Sequence, residues 1–237
     1  MVPPSILAGP ALSPEAPALH AVHLDGPAGR LEALLNTGAA DAPCAALVCH
    51  PHPLAGGTMH NKVAYHAMKV LNAPEWGLRW PVLRFNFRGT GLSEGTHEGK
   101  AESGDVLAAL DWLEAEFKRP LVVVGFSFGA AMALIACCDP AVRPALRTNL
   151  RALVALGLPT QVYGHRVLYP FLSRCTLPKL FLSGDCDVFA PSAELTGVAE
   201  AAVGPTTLAF IPNADHSFSG QIEAMQDTLF RWLKEHV

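Results

Sequence analysis

No apolar run in this chain is long enough to cross a membrane: the longest candidate, Ala130 to Cys138, is about half of the ~18 residues a span needs. Charge is scarce as well. Only 16% of the residues are Asp, Glu, Lys or Arg, and the net charge of -4 is spread along the chain. That distribution leaves no basic stripe to neutralise a phosphate backbone and argues against nucleic-acid binding. The first 19 residues contain neither Lys nor Arg, and Pro3, Pro4, Pro10, Pro14 and Pro17 break up any apolar centre, so a secretion signal's layout is missing. Residues 1–18 are expected as a loosely ordered arm ahead of one domain spanning 19–237. Cysteine is too sparse for a disulfide framework: Cys44, Cys49, Cys137, Cys138, Cys175 and Cys186 are scattered over 237 residues, and two are adjacent in a predicted helix. Reduced thiols and a cytoplasmic location are the expectation.

Half of the residues are apolar, which provides core material for a sheet covered on both sides. Short β-type runs at Leu19 to Leu24, Arg30 to Leu35, Ala45 to Cys49, Pro81 to Phe87, Leu121 to Gly125, Ala152 to Leu156, Lys179 to Leu182 and Thr207 to Ile211 alternate with helical patterns for most of the length. The helices are predicted near His60 to Asn72, Ala101 to Phe117, Gly129 to Cys138, Pro191 to Ala202 and Phe218 to His236. Alternation of this kind predicts an α/β fold with a mostly parallel eight-stranded sheet, helices on both faces, and an antiparallel hairpin formed by the first two strands. The stretch from Gly157 to Pro178 has no clear pattern and is expected as a minimal cap.

Two segments fit G-x-S-x-G, the sharp strand-to-helix turn that lifts a serine hydroxyl clear of the sheet in the α/β-hydrolase fold. Gly125-Phe126-Ser127-Phe128-Gly129 follows the buried-strand run Leu121 to Val124 and precedes a small-residue helix. Gly91-Leu92-Ser93-Glu94-Gly95 lies between polar loops, so Ser127 is the candidate nucleophile. A neutral hydroxyl needs a histidine to take its proton and a carboxylate to orient that histidine. His216 lies between the last predicted strand and the last helix, which favours it over His165 and His236. Asp187, just after the Lys179 strand, is favoured over Asp185. Asp215 is a poor candidate, because neighbours in an extended loop point apart.

The oxyanion of a tetrahedral intermediate needs two backbone N–H donors. Phe128 follows the nucleophile and supplies the first. The second comes from the loop after the third strand, with His52 favoured and Leu54 the alternative, since Pro51 and Pro53 carry no N–H. This loop contains His50-Pro51-His52-Pro53, Gly56-Gly57-Thr58-Met59 and Asn61-Lys62-Val63. It resembles the H-P-H-P-x-x-G-G-x-M-x-N-K-V signature of a family of small bacterial α/β-hydrolases similar to dienelactone hydrolases and carboxylesterases. Arg84-Phe85-Asn86-Phe87-Arg88-Gly89-Thr90-Gly91-Leu92-Ser93-Glu94-Gly95, with Glu102 and Asp105 beyond it, resembles that family's R-F-N-F-R-G-x-G-x-S-x-G and E-x-x-D motifs. The resemblance spans roughly residues 45 to 220. It implies the fold and the Ser-His-Asp set more firmly than a substrate, and it places Ser93 in a structural loop.

These readings converge on a serine esterase: a hydrolase of small carboxylic esters acting through an acyl-enzyme, with Leu54, Phe126 and Phe218 as an apolar wall. No cofactor or metal is called for. Zinc held by His50, His52, His60 and His66 is disfavoured by the intervening prolines and the lack of a nearby acidic or Cys-x-x-Cys partner. Amide or peptide hydrolysis on the same residues and a non-catalytic interaction domain are the rival readings. The expected partner is a small-molecule ester, with neither nucleic acid nor membrane.

Overall fold

The computed structural model describes residues 18–142 and 149–237, so nearly all of the expected N-terminal arm lies outside the described residues. The strands are β1 (Leu19–Gly26), β2 (Gly29–Asn36), β3 (Ala45–Cys49), β4 (Val82–Phe85), β5 (Leu121–Phe126), β6 (Leu150–Leu156), β7 (Gln161–Val162), β8 (His165–Arg166), β9 (Lys179–Gly184) and β10 (Thr206–Ile211). Five α-helices join them: α1 (Lys62–Asn72), α2 (Glu102–Phe117), α3 (Phe128–Cys138), α4 (Ser192–Ala201) and α5 (Ile222–His236).

Eight strands form one sheet in the order β1-β2-β4-β3-β5-β6-β9-β10. β1 and β2 pair antiparallel around Gly26↔Gly29, and β2 meets β4 antiparallel. From β4 to β10 every pairing is parallel. All residues of β3, β4 and β5 are buried, because crossover helices cover both faces of the sheet's centre. On one face α1 and α5 pack through Val63, Ala67, Leu71, Met225, Leu229 and Leu233. On the other, α2 contributes the stripe Val106, Ala109, Leu110 and Leu113, and α3 buries almost its whole surface. An all-apolar short helix between sheet and neighbours is what Ala130 to Cys138 encodes.

The expected eight strands and five helices are all present, so the fold is the α/β-hydrolase fold with a minimal cap. Between β6 and β9 the chain adds only the small β7–β8 hairpin and a 3-10 turn at Pro170–Arg174. The thiol expectation needs a correction. Cys138, at the end of α3, is joined to Cys175, just beyond that 3-10 turn, while Cys44, Cys49 and Cys186 are free. The two partners are 37 residues apart, and nothing in their spacing announces that the fold brings α3 against this segment. Among the described residues no helix is long and apolar enough to cross a membrane.

Candidate active site

β5 delivers Ser127 at the carboxyl edge of the sheet, where the backbone turns directly into α3. Ser127 sits at φ 55° and ψ -120°, a left-handed conformation costing a non-glycine residue roughly 1–3 kcal/mol. The turn is held by the Ser127 N–H donating to Leu156 O at 2.9 Å, and by Ser127 O accepting from Ala130 and Ala131. A methyl at Gly125 would overlap the backbone of Gly129 and Ala130, and one at Gly129 would overlap the carbonyls of Cys49 and His50. The two flanking glycines are therefore what lets the elbow close and lets α3 abut the end of β3.

His216 comes from the loop between β10 and α5, and Asp187 from the loop after β9. His216 Nε2 lies 2.9 Å from Ser127 Oγ, and Nδ1 lies 2.8 Å from Asp187 Oδ2. An ionised carboxylate only accepts, so the proton sits on Nδ1 and Nε2 is left to accept from the serine hydroxyl. Asp187 is buried, which by itself raises its carboxyl pKa. Hydrogen bonds from His216, the Phe189 N–H (2.9 Å) and Ser183 Oγ (2.9 Å), with the His216 charge, outweigh that and hold it below its ordinary value. Asp185 is exposed; its carboxylate accepts from the Cys186 thiol at 3.3 Å and its N–H donates to Ile211 O at 3.1 Å. Asp215 turns back to accept from the N–H groups of Ser217 and Ser219.

The loop bearing His216 passes so close to the end of β9 that a methyl at Gly184 would overlap the Ala214 carbonyl oxygen. Gly184→Ala is expected to push His216 away from Ser127 and lower turnover by about 10²-fold, the scale of an ångström-sized misplacement. Turnover within threefold of the parent at equal thermal stability would show that the loop absorbs the methyl.

On the other side of Ser127, among the described residues, neither the His52 nor the Phe128 N–H is taken by a protein acceptor. The Leu54 N–H is engaged within the loop, donating to His52 Nδ1 at 3.2 Å. The loop's shape is imposed by the two sequence motifs acting on each other. Met59 N–H donates to Asn86 Oδ1 and Met59 O accepts from Arg84, while Asn61 caps α1 by accepting from Val63 and Ala64. Ser93 Oγ donates to Asn86 O and accepts from the Glu32 N–H, so the second G-x-S-x-G serine is a structural tie.

A family model described as an alpha/beta hydrolase domain matches residues 47–229. The chain belongs to that family. An α/β serine hydrolase without a lid from Xanthomonas campestris superposes on this hydrolase with a TM-score of 0.77 at 29% identity, over 95% of this chain and 97% of that one. A serine hydrolase homologue from Coxiella burnetii gives 0.78 at 28%, over 90% and 97%. A dienelactone hydrolase from Anabaena variabilis gives 0.74 over 94% and 100%, but at 18% identity it speaks to the fold alone. In sequence, an uncharacterized protein of Rickettsia prowazekii is 36% identical over 169 residues, which is 70% of this chain and 66%, just under two thirds, of that protein.

The walls of the hydrolase's site differ in part from expectation. Phe126 is buried against His216, with ring centroids 5.0 Å apart, and Leu54 is exposed. Phe218 is not a wall residue. It is wholly buried in the core shared with Ile211, Ile222 and Met225, because the His216 loop folds it inward. Phe189, two residues past Asp187, takes the wall position: its ring is half-exposed and 4.7 Å from His216. Sequence reasoning missed it, although its place in the acid loop was a usable signal.

Among the described residues, His50, His52, His60 and His66 do not gather into a group that could hold a metal ion. His50 is wholly buried with both ring nitrogens engaged, Nε2 accepting from Phe87 N–H and Nδ1 donating to Pro51 O. Burial lowers its pKa to about 4, against the opposing Pro51 hydrogen bond. A histidine whose folded-state value lies below its unfolded value binds fewer protons when folded, so stability falls as pH drops from 6.5 toward 4. The contribution at stake is about 3 kcal/mol. Urea unfolding at pH 7 and pH 5 should show this acid loss, and His50→Gln should flatten it; an unchanged pH slope in the variant would refute the assignment.

Proposed function

We propose that this hydrolase cleaves small carboxylic esters through an acyl-enzyme, with Ser127, His216 and Asp187 as its catalytic residues. The observation that carries the reading is the continuous hydrogen-bonded run from Ser127 Oγ through both His216 nitrogens to a buried, ionised Asp187. Ser127 Oγ attacks the ester carbonyl carbon while His216 Nε2 takes the hydroxyl proton. The oxygen that becomes negative is held by the His52 and Phe128 N–H groups. Collapse of the tetrahedral intermediate breaks the bond to the alcohol, which leaves with the proton from Nε2. Water, deprotonated by the same nitrogen, then attacks the acyl-enzyme, releases the acid and restores Ser127. Asp187 stabilises the imidazolium in both halves.

The short segment between β6 and β9 and the apolar surface of Phe189 and Leu54 favour small acyl groups over large ones. The same residues could cleave an amide, whereas a non-catalytic role would leave the strained serine without a purpose. Turnover of p-nitrophenyl acetate and butyrate, with fluorophosphonate labelling at Ser127, tests the reading. No turnover of either ester would reject the esterase activity, and no labelling would reject Ser127 as a nucleophile.

A further inference from the structure

Three rings meet on the oxyanion side of Ser127. The His97 ring lies 4.7 Å from that of His52 and 5.4 Å from that of Phe128, and His52 and Phe128 are themselves 5.0 Å apart, all edge-to-face. His52 and Phe128 are the two residues whose backbone N–H groups are assigned to the oxyanion. His97 therefore packs its ring on both of them.

His97 lies against a buried carboxylate. Its Nδ1 is 2.7 Å from Oε1 of Glu102, which has no exposure, although the contact does not meet hydrogen-bond geometry. The same Glu102 oxygen accepts from the N–H groups of Glu98 and Gly99 at 2.7 and 3.2 Å, which closes the loop that carries His97. Arg88 completes the brace. It forms hydrogen bonds to both oxygens of buried Asp105, to Glu98 at 2.9 Å and to Ala101 O at 2.9 Å. Arg88, Glu102 and Asp105 stood out in the sequence, yet none touches Ser127, His216 or Asp187; all three converge on this loop.

We infer that His97 is a positioning residue for the oxyanion donors, held in place by Glu102 and the Arg88–Asp105 pair, so that the second motif supports transition-state binding without touching the substrate. The inference rests on the esterase reading of Ser127. Edge-to-face packing of His97 on both donor residues sets the separation of two N–H groups that must meet one oxygen, and a displacement of one ångström there costs about 10–10²-fold in rate. Because the donors act on the tetrahedral species more than on the bound ester, the loss falls on kcat and spares KM.

The test compares the full-length parent with His97→Ala and His97→Phe in p-nitrophenyl butyrate turnover and in inhibition by phenylboronic acid, which forms a tetrahedral adduct on serine. His97→Ala is expected to lower kcat about tenfold or more and to weaken the boronic acid by a similar factor, with KM changed less than about threefold. His97→Phe, which keeps the ring edge, is expected to stay within about threefold of the parent. If His97→Ala does not fold, His97→Leu, which keeps apolar bulk without an aromatic edge, takes its place. Unchanged kcat and boronic-acid affinity, a loss carried by KM alone, or a Phe variant as impaired as the Ala variant would each overturn the inference. A parent that neither turns over the ester nor reacts with a fluorophosphonate would instead remove the esterase reading, and this inference with it.

Discussion

Replacing Ser127 by alanine is expected to lower ester turnover by about 10⁴-fold or more, because no other group near His216 can form the acyl bond. The residual rate would come from the N–H donors and substrate binding acting on water. Folding should be spared: among the described residues the Ser127 hydroxyl's one hydrogen bond is to His216 Nε2, and the backbone bonds that hold the elbow remain. The variant should therefore keep a melting temperature within a few degrees of the parent while losing both turnover and fluorophosphonate labelling. Turnover within tenfold of the parent would remove Ser127 from the mechanism.

Asp187→Asn carries the second-largest expected loss, about 10⁴-fold in kcat. The substitution is nearly isosteric, so the geometry around it survives. An amide facing His216 Nδ1 presents a donor where the carboxylate accepted, which moves the imidazole proton to Nε2. That nitrogen can then no longer take the proton of Ser127. The neighbouring Asp185→Asn is expected to change kcat by less than about twofold, since Asp185 is exposed and does not reach His216. Comparable losses in both variants would mean that the acid has been misassigned. Asp187 also feeds stability: its carboxyl is held below the ordinary value, so its contribution is present above about pH 4 and disappears as pH falls through the lowered value. The acid limb of the parent's unfolding profile should be shallower in Asp187→Asn.

Much of the site was legible because it follows from rules local to the chain. A G-x-S-x-G turn needs a strand before it and a helix after it, and the segment around Ser127 has both, whereas that around Ser93 has neither. The chain order Ser, Asp, His and the placement of His216 and Asp187 after strands β10 and β9 put them on one sheet edge, since parallel strands all end there. That the Leu54 N–H is engaged by the His52 ring could not be read that way, because it depends on how the loop folds on itself. Phe218 was misplaced for a similar reason. An aromatic beside a site histidine can face the ligand or the core, and only the path of the loop decides between them.

The sequence by itself determined the α/β alternation, the eight strands of the main sheet and the choice of Ser127, Asp187 and His216 as candidates, because periodicity and turn chemistry act over a few residues. Tertiary structure alone decided which distant groups meet: Cys138 with Cys175, Phe189 against His216, and His97 between Glu102 and the two donor residues. Those contacts join segments from different crossovers. Their distances are fixed by how helices and loops pack on the sheet, which no spacing along the chain records.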